Sequence, residues 1–88
     1  MKLKYNFVVN EVAGKKVAVA VGADLAKFNG FIKMNENSAF IFEQLKNDVT
    51  EDDIIAALVK EFSVEDNEEL RTGVREFVAG LEAEGVLA

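Results

Sequence analysis

Residues 30–45 read Gly30-Phe31-Ile32-Lys33-Met34-Asn35-Glu36-Asn37-Ser38-Ala39-Phe40-Ile41-Phe42-Glu43-Gln44-Leu45, and the hydrophobic period changes in the middle of them. Gly30 to Met34 has the pattern of a short strand. From Asn35 onward Ala39, Phe42 and Leu45, with neighbouring Ile41, recur at helical spacing. Asn35 suits an N-cap, and Glu36 places a negative charge in the first turn, where the helix dipole favours it. The stretch therefore predicts a strand running directly into a helix, which Asn47-Asp48 ends.

Upstream of that switch the pattern is strand-like. Phe7, Val9 and Glu11 alternate with Val8, Asn10 and Val12, and Val17, Val19 and Val21 alternate with Ala18 and Ala20. Ala13-Gly14-Lys15 between them supplies a turn, so the two runs predict a hairpin. Gly22-Ala23-Asp24 breaks the second strand, and the pattern leaves open the form of the connection over residues 23–29.

Downstream the pattern is helical. Thr50-Glu51-Asp52-Asp53 approximates a capping box and precedes a core face of Ile54, Ile55, Leu58, Val59 and Phe62. Ser63 is expected close to the start of a third helix, with Glu65, Asp66, Glu68 and Glu69 in its first turn. Leu70, Val74, Phe77 and Leu81 form that helix's main stripe. Gly85 reads as the residue after its C-cap, with Val86-Leu87 folding back. Three strands with one apolar face need a cover, and the helices supply it. The expectation is one α+β domain over residues 1–88: a three-stranded antiparallel sheet followed by three helices, winged helix-turn-helix-like.

Composition narrows the chemistry. The 88 residues include no cysteine, histidine, tryptophan or proline. That excludes a thiol nucleophile, a disulfide, a Cys/His zinc site and a histidine-based triad. A carboxylate pair remains a route to acid–base chemistry, but no spacing here marks a pocket for one. The expectation is a protein that is not an enzyme and carries no cofactor or metal. No basic-then-apolar leader opens the chain, and no apolar run reaches membrane-spanning length. A cytoplasmic protein with no membrane partner is expected.

Charge is divided between the halves. Residues 1–47 hold seven lysines against four acids, a net of +3, and residues 48–88 hold twelve acids against Lys60, Arg71 and Arg75, a net of −9. Three helices after a small sheet invite comparison with winged-helix DNA regulators, the alternative reading. A nucleic-acid face needs clustered cations, however, and the helical half would repel a phosphate backbone. No nucleic-acid partner is expected.

Several features have both a plain and a functional reading. The acidic run from Glu65 to Glu69 lacks the ligand pattern of an EF-hand and reads as a solvated helix start. The lysines of the first half read as surface, some of them guarding strand edges. On the third helix Arg71, Arg75, Val78 and Glu82 form a second stripe, either a solvent face or one wall of a groove for an extended peptide. Gly73 and Gly80 lie inside that helix, where each costs about 1 kcal/mol relative to alanine.

The order of elements and several motifs resemble a known family. Met34 to Leu45 is similar to its signature Leu-Asn-x-x-Ala/Gly-Ala-x-Ile-Trp/Leu-x-x-Leu, and Thr50-Glu51-Asp52-Asp53-Ile54 resembles its second-helix start. Val74, Phe77, Leu81 and Gly85-Val86-Leu87 resemble its closing motif. The family is that of the pyrroloquinoline quinone biosynthesis protein D, PqqD, and the resemblance runs from Phe7 to Leu87. It implies a peptide chaperone, a recognition element for the leader of a ribosomally made precursor peptide. Such a protein delivers the peptide to a radical SAM/SPASM maturase. By resemblance the guest lies between the third strand (Phe31, Ile32, Lys33, Met34) and the third helix (Arg71, Val74, Arg75, Val78). Ile32 and Met34 point to one face of the strand and Phe31 and Lys33 to the other, so not all four can meet the guest's side chains. Val74 also belongs to the core stripe. The arginines and Lys33 would pair with acidic leader residues. The strand edge that accepts a guest is equally open to a second copy, as a homodimer.

Overall fold

Ala13 and Gly14 both have left-handed backbone, with φ of 52° and 79°. Two consecutive residues of this kind make a type I′ turn, whose twist matches that of the strands it joins. They connect β1 (Phe7–Val12) to β2 (Lys15–Ala20), paired antiparallel from Phe7↔Ala20 to Val12↔Lys15. β3 (Phe31–Met34) pairs antiparallel with the other side of β2, from Lys16↔Met34 to Val19↔Phe31. The sheet order is β1-β2-β3, so β3 is an edge strand. The computed structural model describes residues 1–88. It assigns the undetermined connection a short 3-10 turn, Gly22–Ala26. Asp24 in that turn accepts a hydrogen bond from the Asn6 N–H, 2.8 Å.

Three helices follow. α1 (Glu36–Gln44) starts at Asn35, whose Oδ1 accepts from the Ser38 N–H at 2.8 Å. α2 (Glu51–Phe62) has the full reciprocal cap: Thr50 Oγ1 accepts from the Asp53 N–H, and Asp53 Oδ2 accepts from the Thr50 N–H. Aspartate thus serves where glutamate is usual. α3 (Glu68–Ala83) starts later than expected. Ser63 is the left-handed C-cap of α2, and Asn67 caps α3 by accepting from the Leu70 N–H at 2.9 Å. Glu65 and Asp66 therefore lie in the loop, and only Glu68 and Glu69 occupy the first turn. The far end of α3 closes in a Schellman arrangement. The Gly85 N–H donates to Glu82 C=O, the Val86 N–H donates to Leu81 C=O, and Gly85 has φ 75°.

The core is a single cluster of 16 buried apolar residues with no buried polar side chain. Phe7, Ala18, Ala20 and Met34 come from the inner face of the sheet. Phe42 and Leu45 of the α1 region, Ile54, Ile55 and Leu58 of α2, and Val74, Val78 and Leu81 of α3 meet them there. Phe7 stacks edge-on against Phe42 with ring centres 5.3 Å apart. The first residues lace this assembly together. Leu3 is buried and bridges Leu87, its N–H donates to Leu45 C=O, and the Lys4 N–H donates to Val86 C=O. No helix is long and apolar enough to cross a membrane.

Candidate functional site

β3 places the first half of the site. One side of its backbone is taken up by β2, and no backbone or side-chain hydrogen bond reaches the other. Successive residues of a strand direct their N–H and C=O groups to alternate sides, so about half of the four residues offer theirs outward. Met34 is buried and Ile32 half-buried on the inner face, while Phe31 and Lys33 are exposed on the outer face.

α3 supplies the second half. At 100° per residue its buried stripe of Val74, Val78 and Leu81 has two different flanks. Leu70, Gly73 and Phe77 lie on one, and Arg71 and Arg75 on the other. Phe77, half-buried, stands over an open recess of about 640 Å³ that it shares with Lys33, Met34 and Asn35. A second recess of about 450 Å³ lies against Leu70, Gly73 and Val74, with Ile41, Leu58 and Phe62 among its lining residues. Both recesses touch Asn35 and Ser38, so they form one trough along this flank of α3, from the end of β3 to the α2–α3 loop. A Cβ added to Gly73 or Gly80 meets nothing within 4 Å, so neither glycine is required by close approach within the molecule.

The arginine flank faces α2. Arg71 holds Asp66 with two parallel hydrogen bonds of 2.9 Å, and its Nη1 donates to Asp52 at 2.9 Å and Glu51 at 3.2 Å. Arg75 holds Glu51 from Nε and Nη2, and its Nη1 reaches Glu68 at 3.3 Å. These bonds hold Glu51 and Asp66 below the usual carboxylate range and raise both guanidiniums above theirs. Val78 is 8% exposed and Val74 2%. Of the helix residues expected to meet a guest, Val74 is trough floor, Val78 is core, and the two arginines are turned to α2.

Phe77 packs against the core as its place in the stripe predicts, but it is only half-buried, and its position at the margin of that stripe, beyond Leu70, is the sequence signal for its exposed side. Lys15 and Lys16, read as surface, line the Phe77 recess together with Lys33. None of these three lysines has a carboxylate partner within ion-pair distance, although Glu11 and Glu36 lie in the same lining. The cations free on the β3 side of the trough are therefore lysines. No three acidic side chains converge to hold a metal ion.

An open strand edge beside a helix-lined trough defines a small α+β domain built to expose backbone next to apolar surface. The chain belongs to the family described as Coenzyme PQQ synthesis protein D (PqqD), whose sequence model matches residues 17–87. The match starts within β2, a strand later than the resemblance from Phe7. Comparison with curated proteins returned no match. Among solved structures, TbiB1 in complex with the TbiA(beta) leader peptide has a similar fold, with a TM-score of 0.70 at 18% identity. That match covers 99% of this chain and 94% of the other.

Proposed function

We propose that this chain is a non-catalytic peptide chaperone that binds the leader of a ribosomally made precursor peptide as an added strand on β3. It presents the peptide to a radical SAM maturase, in quinone synthesis or a related modified-peptide pathway. The observation that carries the reading is the β3 edge, free of any hydrogen bond, beside the trough under Leu70, Gly73 and Phe77. Family membership and the leader peptide bound to TbiB1 support it.

In such a complex, backbone hydrogen bonds to the outward-directed, alternate residues of the stretch Phe31, Ile32, Lys33 and Met34 supply affinity and pockets for alternate side chains supply choice. Val74 contributes as floor. Arg71 and Arg75 reach the guest only by leaving their carboxylates, so an acidic leader residue finds Lys15, Lys16 or Lys33 first. Such charges help registration and association rate more than affinity. The order of elements, three strands followed by three helices, enters this reading as architecture alone. The arginines of α3 are occupied within a half of net charge −9, which counts against the DNA-regulator reading.

The test is an NMR titration of labelled protein with the short peptide encoded nearest its gene. Shifts concentrated at residues 31–34, 70, 73 and 77 are expected. If no candidate peptide moves those residues at high micromolar concentration, the leader-binding reading fails. Shifts at β3 that depend on protein concentration without peptide would instead assign the edge to a second copy.

A further inference from the structure

The outer face of the sheet, opposite the helices, has an unusual composition for a surface facing water. In register it consists of the rows Val8–Val19–Phe31 and Asn10–Val17–Lys33, with Val12 and Lys15 at the hairpin end. Val8 is 43% exposed and Val12 and Phe31 are each 59% exposed. An antiparallel sheet with one solvated face normally carries polar residues there. Here five of eight positions are apolar, and none of the chain's 16 acids is among them. The apolar side chains of this face adjoin one another across all three strands, with no acid between them.

We propose that this face docks a second, different protein through an apolar patch flanked by carboxylates. The inference goes beyond leader binding and stands without it. Charge selects the partner: the face's only charges are Lys15 and Lys33, and neither is paired within the molecule. Two copies of the chain would offer each other no carboxylate on this face in any orientation. Size argues the same way. Six residues by three strands span about 20 Å by 14 Å, well short of the roughly 800 Å² per partner of a stable interface. A transient partner fits that footprint better than a permanent dimer. A lipid surface is disfavoured, because short valine side chains insert little.

The experiment places p-benzoylphenylalanine at Val8 or Val19 of the full chain in its native cells, with exposed Ala56 of α2 as control. The cross-linked protein is identified, its attachment site mapped, and binding measured with purified components. The proposal expects attachment from positions 8 and 19 but not 56, at an apolar surface flanked by Asp or Glu. It further expects Val8→Glu and Lys15→Glu each to weaken the purified complex tenfold or more, with Val8→Glu leaving thermal stability and the leader titration unchanged. Cross-links to a second copy, to lipid, to a surface without acids or to nothing overturn it. So does an affinity indifferent to both substitutions.

Discussion

Arg75 grips Glu51 across the α2–α3 interface with two near-parallel hydrogen bonds, 2.8 Å from Nε and 3.1 Å from Nη2. Arg71 donates to the same carboxylate, so Glu51 ties both arginines of α3 to the first turn of α2. Residues that read in the sequence as a wall for a guest thus serve as a brace between helices. Bidentate pairs of this kind carry geometric specificity as well as energy.

Reversing one charge should loosen the brace. Arg75→Glu sets a new carboxylate beside Glu51 and Glu68, and the melting temperature should fall. Pairing it with Glu51→Arg should restore most of the loss, because the swap re-forms the bridge. Thermal denaturation of the two single variants and the double variant checks this; additive losses would remove the pair from the account.

The brace also sets an acid limit. Hydrogen bonds from Arg75 and Arg71 lower the pKa of Glu51 and Asp66 below their ordinary values of 4.5 and 3.8. Ionisation is therefore favoured in the fold. The stability this contributes is fully present above those ordinary values and is lost as pH falls through the lower folded ones. Melting temperature should drop less between pH 6 and pH 3 in an Arg71→Gln/Arg75→Gln variant than in the unmodified protein.

The two glycines of α3 separate stability from binding. Gly73 and Gly80 both have open space where a Cβ would stand, but only Gly73 borders the trough. Replacing either by leucine should raise stability by about 0.5–1 kcal/mol through helix propensity. Gly73→Leu should also fill the trough and weaken leader binding at least tenfold, whereas Gly80→Leu should leave it unchanged. Denaturant unfolding and calorimetric titration of both variants make the comparison.

Phe77 and Val78 are neighbours in the chain with opposite expected profiles. Val78→Ala should cost about 2 kcal/mol of stability, as loss of buried volume, and leave leader affinity intact. Phe77→Ala should cost about 1–3 kcal/mol from its half-buried ring and lower affinity about tenfold, as loss of an aromatic anchor does. Equal affinities in the two variants would detach Phe77 from the site.

Features written in local chemistry were legible from the sequence: the Asn35 cap, the Thr50–Asp53 capping box and the left-handed Gly85 each depend on residues within a few positions. The α3 start was misplaced because Ser63 and Asn67 are both cap residues by type, and only the structure reveals that Ser63 ends one helix while Asn67 starts the next. The bridge between Leu3 and Leu87 joins the two ends of the chain, and no local pattern marks it. The β3 edge was readable from strand order. Which flank of α3 faces it was not, because Arg71 and Phe77 both border the apolar stripe, and the choice depends on where Glu51 and Asp66 come to lie.

The central claim is that a leader adds a strand to β3. Residue-level hydrogen exchange at Phe31–Met34, with and without the peptide, tests it most directly. Strand addition predicts that alternate amides of this stretch, those directed outward, become strongly protected while the inward ones change little. Chemical-shift changes at Gly73 and Phe77 without new protection along β3 would contradict it, and would describe a ligand held by the trough alone.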